Sequence, residues 1–213
     1  MQQLMFSRNE MVIWTWLVSR AIVSSLSGLS KMVGHNLVVT SLDLKQYPAK
    51  DAAALLGGPD NIVVGINLEV SGDATGHLML IHEPIIAFEL IDMQKDLPPG
   101  STQGLGSLED SILGEMGNVT GSLFLNAMAD VSGLNLLISP PTVMIDMAGA
   151  ILDIALAKNM QEGDDILVVK ATFGAGERQI DGVFMILPSS EFIEIVLRHP
   201  QGQPVSTEYP DSA

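Results

Sequence analysis

The sequence contains no cysteine, which removes disulfides, thiol nucleophiles and zinc–thiolate sites together and fits a reducing, cytoplasmic compartment. Cations are scarce. Lys and Arg number 10 against 25 Asp and Glu, for a formal charge of −15, and no basic run concentrates them. Nucleic acid is therefore not an expected partner. The four histidines, His35, His77, His82 and His199, are scattered. His77 and His82, five apart in a strand-like run, face opposite sides, so no metal site is expected. Long uncharged apolar runs are missing too: Met11 to Leu29 approaches membrane-span length, but Arg20 sits at its middle beside Ser19, Ser24, Ser25 and Ser27. A central Arg costs about 2.5–3.5 kcal/mol on insertion, so no membrane span is expected. The glycine turns "GGPDN" (57–61) and "GAGE" (174–177) lack a lysine and a following helix, and neither reads as a phosphate loop.

What the chain does have is apolar content, 47% of 213 residues, enough for a sizeable core. It also has a repeat. "SRNE" (7–10) and "SLED" (107–110) each place a serine at a helix start with an acid three residues on, a capping-box pattern. Both helices end at glycines, Gly34 and Gly133, suited to a left-handed stop, and each is followed by an apolar run. Short Ala-rich helices come next, from Asp51 and from Asp146. Strands "NIVVGINLEV" and "DILVVKATF" follow, then strands "GHLMLIHEP" and "GVFMILP", then apolar helices "IIAFELIDM" and "SEFIEIVLR". The expected fold is α/β (α+β): a pseudo-twofold duplication of helix, strand, helix, strand, strand and helix, with two long central helices packed on a mostly antiparallel sheet. Residues 1–199 read as one domain of two repeats, about 7–94 and 107–199, with 95–106 as linker and 200–213 as a disordered tail.

The second long helix carries an unusual stripe. Ser111, Glu115, Asn118, Ser122 and Asn126 fall within an arc of about 80°. Leu113, Phe124, Ala127 and Val131 gather opposite, and Gly114, Gly117 and Gly121 form a third side where close approach of another backbone is expected. A carboxylate and an amide three residues apart can hold a water. They lack a nucleophile, a histidine base or a metal, so a partner must supply the rest of any reaction.

The spacing of Ser111, Glu115 and Asn118, followed by twenty-two residues and then Pro141, resembles the signature of the CheC, CheX and FliY chemotaxis phosphatases. "LSKMVG" (29–34) is similar to the end of the first long helix in CheC, and the duplicated architecture matches over residues 7–199. The resemblance implies hydrolysis of the phospho-aspartate of a CheY-like response regulator: Asn118 orients the attacking water and Glu115 pairs with a regulator lysine. It implies no cofactor of the chain's own, with Mg²⁺ on the regulator. Ser111 supports the stripe, and Pro141 shapes the strand beside the helix. CheD is implied as a further partner, at the short helix after Pro141 with Asp146 exposed on it. Carried back by the helix-end glycines, the motif falls on Val12, Trp16, Ser19 and Leu42, none of the expected type. One site is expected per chain, with the first surface buried or paired with protein. The alternative is a non-catalytic adaptor for CheD, a regulator or a flagellar switch protein, whose middle domain shares this fold.

Overall fold

The computed structural model describes residues 7–156, 165–175 and 178–188. Helix α1 (Arg8–Val33) starts on the expected box: the Ser7 hydroxyl accepts from the Glu10 amide at 3.4 Å, and the Glu10 carboxylate accepts from the Ser7 amide at 2.6 Å. It stops at Gly34, with φ 70 and ψ 10, the left-handed conformation that glycine adopts without cost. Strand β1 (Val38–Pro48) leads into a 3₁₀ helix (Ala49–Leu56), then β2 (Ile62–Gly72), β3 (Gly76–His82) and α2 (Pro84–Gln94). The second half runs α3 (Ser107–Ser132), β4 (Leu136–Ile138), β5 (Thr142–Met147), α4 (Ala148–Leu156), β6 (Asp165–Ala175) and β7 (Arg178–Pro188). The helix expected over 190–198 and the tail expected over 200–213 lie outside the described residues.

The strands form one antiparallel sheet in the order β1-β6-β7-β3-β2-β4, with β5 also on β2. Exchanging the two halves maps this pairing onto itself, with β3 and β7 meeting at the centre. Both long helices lie on one face, so the exchange is a rotation about an axis normal to the sheet. That sets α1 and α3 side by side and antiparallel. Leu17, Val18 and Ile22 of α1 and Leu113, Met116 and Phe124 of α3 share the larger core with the even-numbered side chains of β2 and β3, such as Ile66, Leu68 and Leu80. The other sheet face is covered by the 3₁₀ helix and α4 over Val63, Met79, Ile81 and Val168. α1 is long and apolar enough to cross a membrane. Its buried Trp14, Leu17, Val18 and Ile22 instead face protein.

One departure bears on the second half. The apolar run after α3 does not form a single strand: β4 ends at Ile138 and β5 begins at Thr142. Pro140 and Pro141 have no amide to give to the ladder. Ser139 bridges the gap, its hydroxyl accepting from the Glu69 amide and its own amide donating to the Glu69 carbonyl, both at 2.9 Å.

Candidate functional site on helix α3

The start of α3 differs from expectation by one residue. Gly106, not Ser107, is the N-cap, and Glu109 at the third helical position accepts from the Gly106 amide at 3.2 Å. Glu109 also accepts from the Lys95 ammonium at 3.1 Å. Its own backbone N–H first, and Lys95 next, hold its carboxyl below the ordinary value of 4.5. A lowered carboxylate stabilises the fold above that ordinary value, and the contribution fades as pH falls through the folded one. The linker is anchored by Asp92 of α2, which is fully buried. Its carboxylate accepts from the amides of Ser101 and Thr102, each at 2.9 Å, and from the Thr102 hydroxyl at 2.6 Å. These donors offset the cost of burying it.

Two of the three glycines, Gly117 and Gly121, seat α3 on the sheet. A Cβ at Gly117 would overlap Cγ2 of Ile66, and one at Gly121 would stand 2.6 Å from Cδ1 of Leu68, both on β2. The close approach is therefore made by branched side chains of the sheet, not by the backbone expected from sequence. Pro141 closes the side of the groove, 3.8 Å from the Cβ position at Gly114 and 3.6 Å from that at Gly117. The two glycines give opposite predictions. Gly114→Ala makes only ordinary contacts and should stabilise by up to about 1 kcal/mol through helix propensity. Gly117→Ala meets a stiff methyl, so overpacking of about 1–3 kcal/mol should cancel or exceed that gain. Urea midpoints that rise equally in both variants would contradict this seating.

With the helix fixed, its outer edge presents the stripe. Ser111, Glu115 and Asn126 are exposed, while Asn118 and Ser122 are half-buried. Leu113 and Phe124 are buried opposite, with Ala127 and Val131 partly so. No hydrogen bond from another described residue reaches the Glu115 carboxylate or the Asn118 amide. Glu115 is exposed and Asn118 partly so, which leaves their donors and acceptors available to a partner. Among the described residues no group of three metal-ligating side chains occurs. His77 lies buried beside Asn67, 3.3 Å from its Oδ1.

Asp146 is exposed but stands in β5, not on the helix where the sequence reading put it. The strand continues through Met147, paired with Ile62, and the Asp146 carboxylate accepts from the Met147 amide at 2.7 Å. α4 begins only at Ala148, and its first amides donate to the carbonyls of Asn61 and Pro59 at 2.8 and 2.9 Å, so no Asp cap is required. In the first half, the positions matching Ser111, Glu115, Asn118 and Pro141, three on α1 and Leu42 on β1, are apolar or short. Val12 is 52% exposed, whereas Trp16, Ser19 and Leu42 are half-buried, Trp16 and Leu42 against the main core. The Arg20 guanidinium lies 5.4 Å from the Trp16 ring centroid, a cation–π contact.

Residues 108–145, which span the stripe, Pro141 and most of β5, match the model of the CheC-like family. The chain is 26% identical over 174 residues to the CheY-P phosphatase CheC of Bacillus subtilis, covering 80% of this chain and 83% of that protein. In fold it resembles FliY of Thermotoga maritima, with TM-score 0.74, 16% identity and coverage of 92% and 98% of the two chains. The middle domain of FliM from H. pylori is also similar, with TM-score 0.61, 14% identity and coverage of 90% and 98%. Motif segment, curated relative and fold point the same way: this chain is similar to the CheC-like proteins.

Proposed function

We propose that this protein is a chemotaxis phosphatase that hydrolyses the phospho-aspartate of a CheY-like response regulator. The observation that carries the reading is the pair Glu115 and Asn118: adjacent polar groups without hydrogen-bond partners among the described residues, on the open edge of a tightly seated helix, inside the segment that matches the CheC-like family. In the reaction, water attacks phosphorus and the bond to the aspartyl oxygen breaks, releasing phosphate and a free carboxylate. The leaving group is already a good one. Catalysis therefore needs in-line water and charge neutralisation more than a strong base. The Asn118 amide can both accept from and donate to that water, and Glu115 can pair with a regulator lysine. Mg²⁺ belongs to the regulator in this reading. Seating by Ile66, Leu68 and Pro141 lets the amide enter the partner's site without reorganising the helix. Substoichiometric protein should accelerate phosphate release from the phosphorylated regulator; an unchanged rate would leave the adaptor reading.

That second reading has an observation of its own. Ile145 and Met147 of β5 are 46% and 43% exposed and Ile154 of α4 is 47% exposed, apolar side chains suited to protein contact near the exposed Asp146 strand. If it binds CheD, Asp146→Lys should weaken the complex at least about tenfold while leaving the thermal transition unchanged, as a buried charge at an interface would. An unaltered titration would remove Asp146 from any such surface.

A further inference from the structure

The proposed substrate presents an anionic phosphoryl group, and the helix that would meet it is itself acidic. α3 carries Glu109, Asp110, Glu115 and Asp130 and neither Lys nor Arg. On a protein of formal charge −15, such surfaces repel on approach. α1 has the opposite balance, with Arg8, Arg20 and Lys31 against Glu10 alone.

Lys31 is the cation of interest. It is exposed and forms no ion pair among the described residues, where the paired lysines are Lys45 with Asp43 and Lys95 with Glu109. Arg20, by contrast, is held on Trp16. The Ser25 hydroxyl donates to the Thr120 carbonyl at 2.9 Å, which fixes the register of the antiparallel pair. From that contact α1 advances six residues to Lys31, about 9 Å, and α3 goes back five to Glu115, about 7.5 Å. The two residues therefore lie at about one level on neighbouring helices, whose axes pack about 8–10 Å apart, well inside the footprint of a docked protein.

We propose that Lys31 of α1 is a docking residue for the phosphorylated regulator, its ammonium supplying the positive charge that α3 lacks beside Glu115 and Asn118. The proposal rests on the phosphatase reading above. Lys31 also lies in the last turn of α1, where a cation complements the helix dipole. That role would alter stability and leave affinity for the regulator untouched.

The test compares Lys31→Glu with Lys50→Glu, which changes the net charge equally from the 3₁₀ helix, away from α3. Binding is titrated with regulator carrying beryllofluoride as a stable acyl-phosphate mimic, and turnover is followed by phosphate release. Lys31→Glu should raise Kd and KM about tenfold with kcat unchanged, and should flatten the dependence of Kd on salt. Lys31→Arg should stay within about twofold of wild type, since it keeps the charge. Equal effects from Lys31→Glu and Lys50→Glu, or an unchanged Kd in Lys31→Glu, would overturn the assignment. Turnover separates the two proposals: wild-type protein that binds through Lys31 but never accelerates phosphate release would overturn the phosphatase reading and leave Lys31 as a docking residue.

Discussion

Replacing Asn118 by alanine is expected to lower kcat for phosphate release by about 10²–10³, the range seen when one preorganised hydrogen-bonding group is removed from a reacting centre. Affinity for the regulator should change little. The amide acts on water in the transition state, and an interaction made only there raises kcat without tightening the ground-state complex. Asn118 is half-buried at the edge of α3 and makes no hydrogen bond to another described residue, so the substitution leaves no buried group orphaned. Unchanged turnover in a protein that still melts like wild type would show that the water is positioned by another group.

The Glu115→Ala, Asn118→Ala double variant should go further and return phosphate release to the regulator's spontaneous rate. This follows from the state of the first half. Trp16 occupies the place of Glu115 and Ser19 that of Asn118; an indole N–H cannot pair with a lysine, and a serine hydroxyl is too short to replace an inserted amide. Trp16 is also packed on the core, with Arg20 across its ring. Consistent with one working edge, regulator trapped with beryllofluoride should saturate at one per chain. Activity surviving in the double variant, or two regulators bound per chain, would mean that α1 operates by different chemistry.

Much of the architecture is written locally in the sequence. The Ser7 box, the stops at Gly34 and Gly133, and the alternation of strands and helices through β7 depend on residues a few positions apart, and these features stand in the structure as expected apart from the split of β4 and β5. Features that depend on distant partners were not legible. Asp92 sits in an apolar helical stretch, and its burial follows from Ser101 and Thr102 folding back nine and ten residues later. Glycines in α3 announce a close neighbour without naming it; Ile66 and Leu68 come from a strand some fifty residues earlier. Asp146 read as a helix start because Ala-rich sequence follows it, but pairing of β5 with β2 extends the strand through Met147 and delays α4. The stripe itself was visible as geometry. Its chemistry was not, since an acid and an amide on a helix edge specify no reaction until a partner completes the site.

Phosphatase activity is tested most simply by the rate of inorganic phosphate release from the phosphorylated response regulator of the same organism, with this protein present at well below one equivalent. Multiple turnovers per chain are expected with wild-type protein and none with the Glu115→Ala, Asn118→Ala variant; a regulator whose dephosphorylation is indifferent to both would contradict the phosphatase assignment.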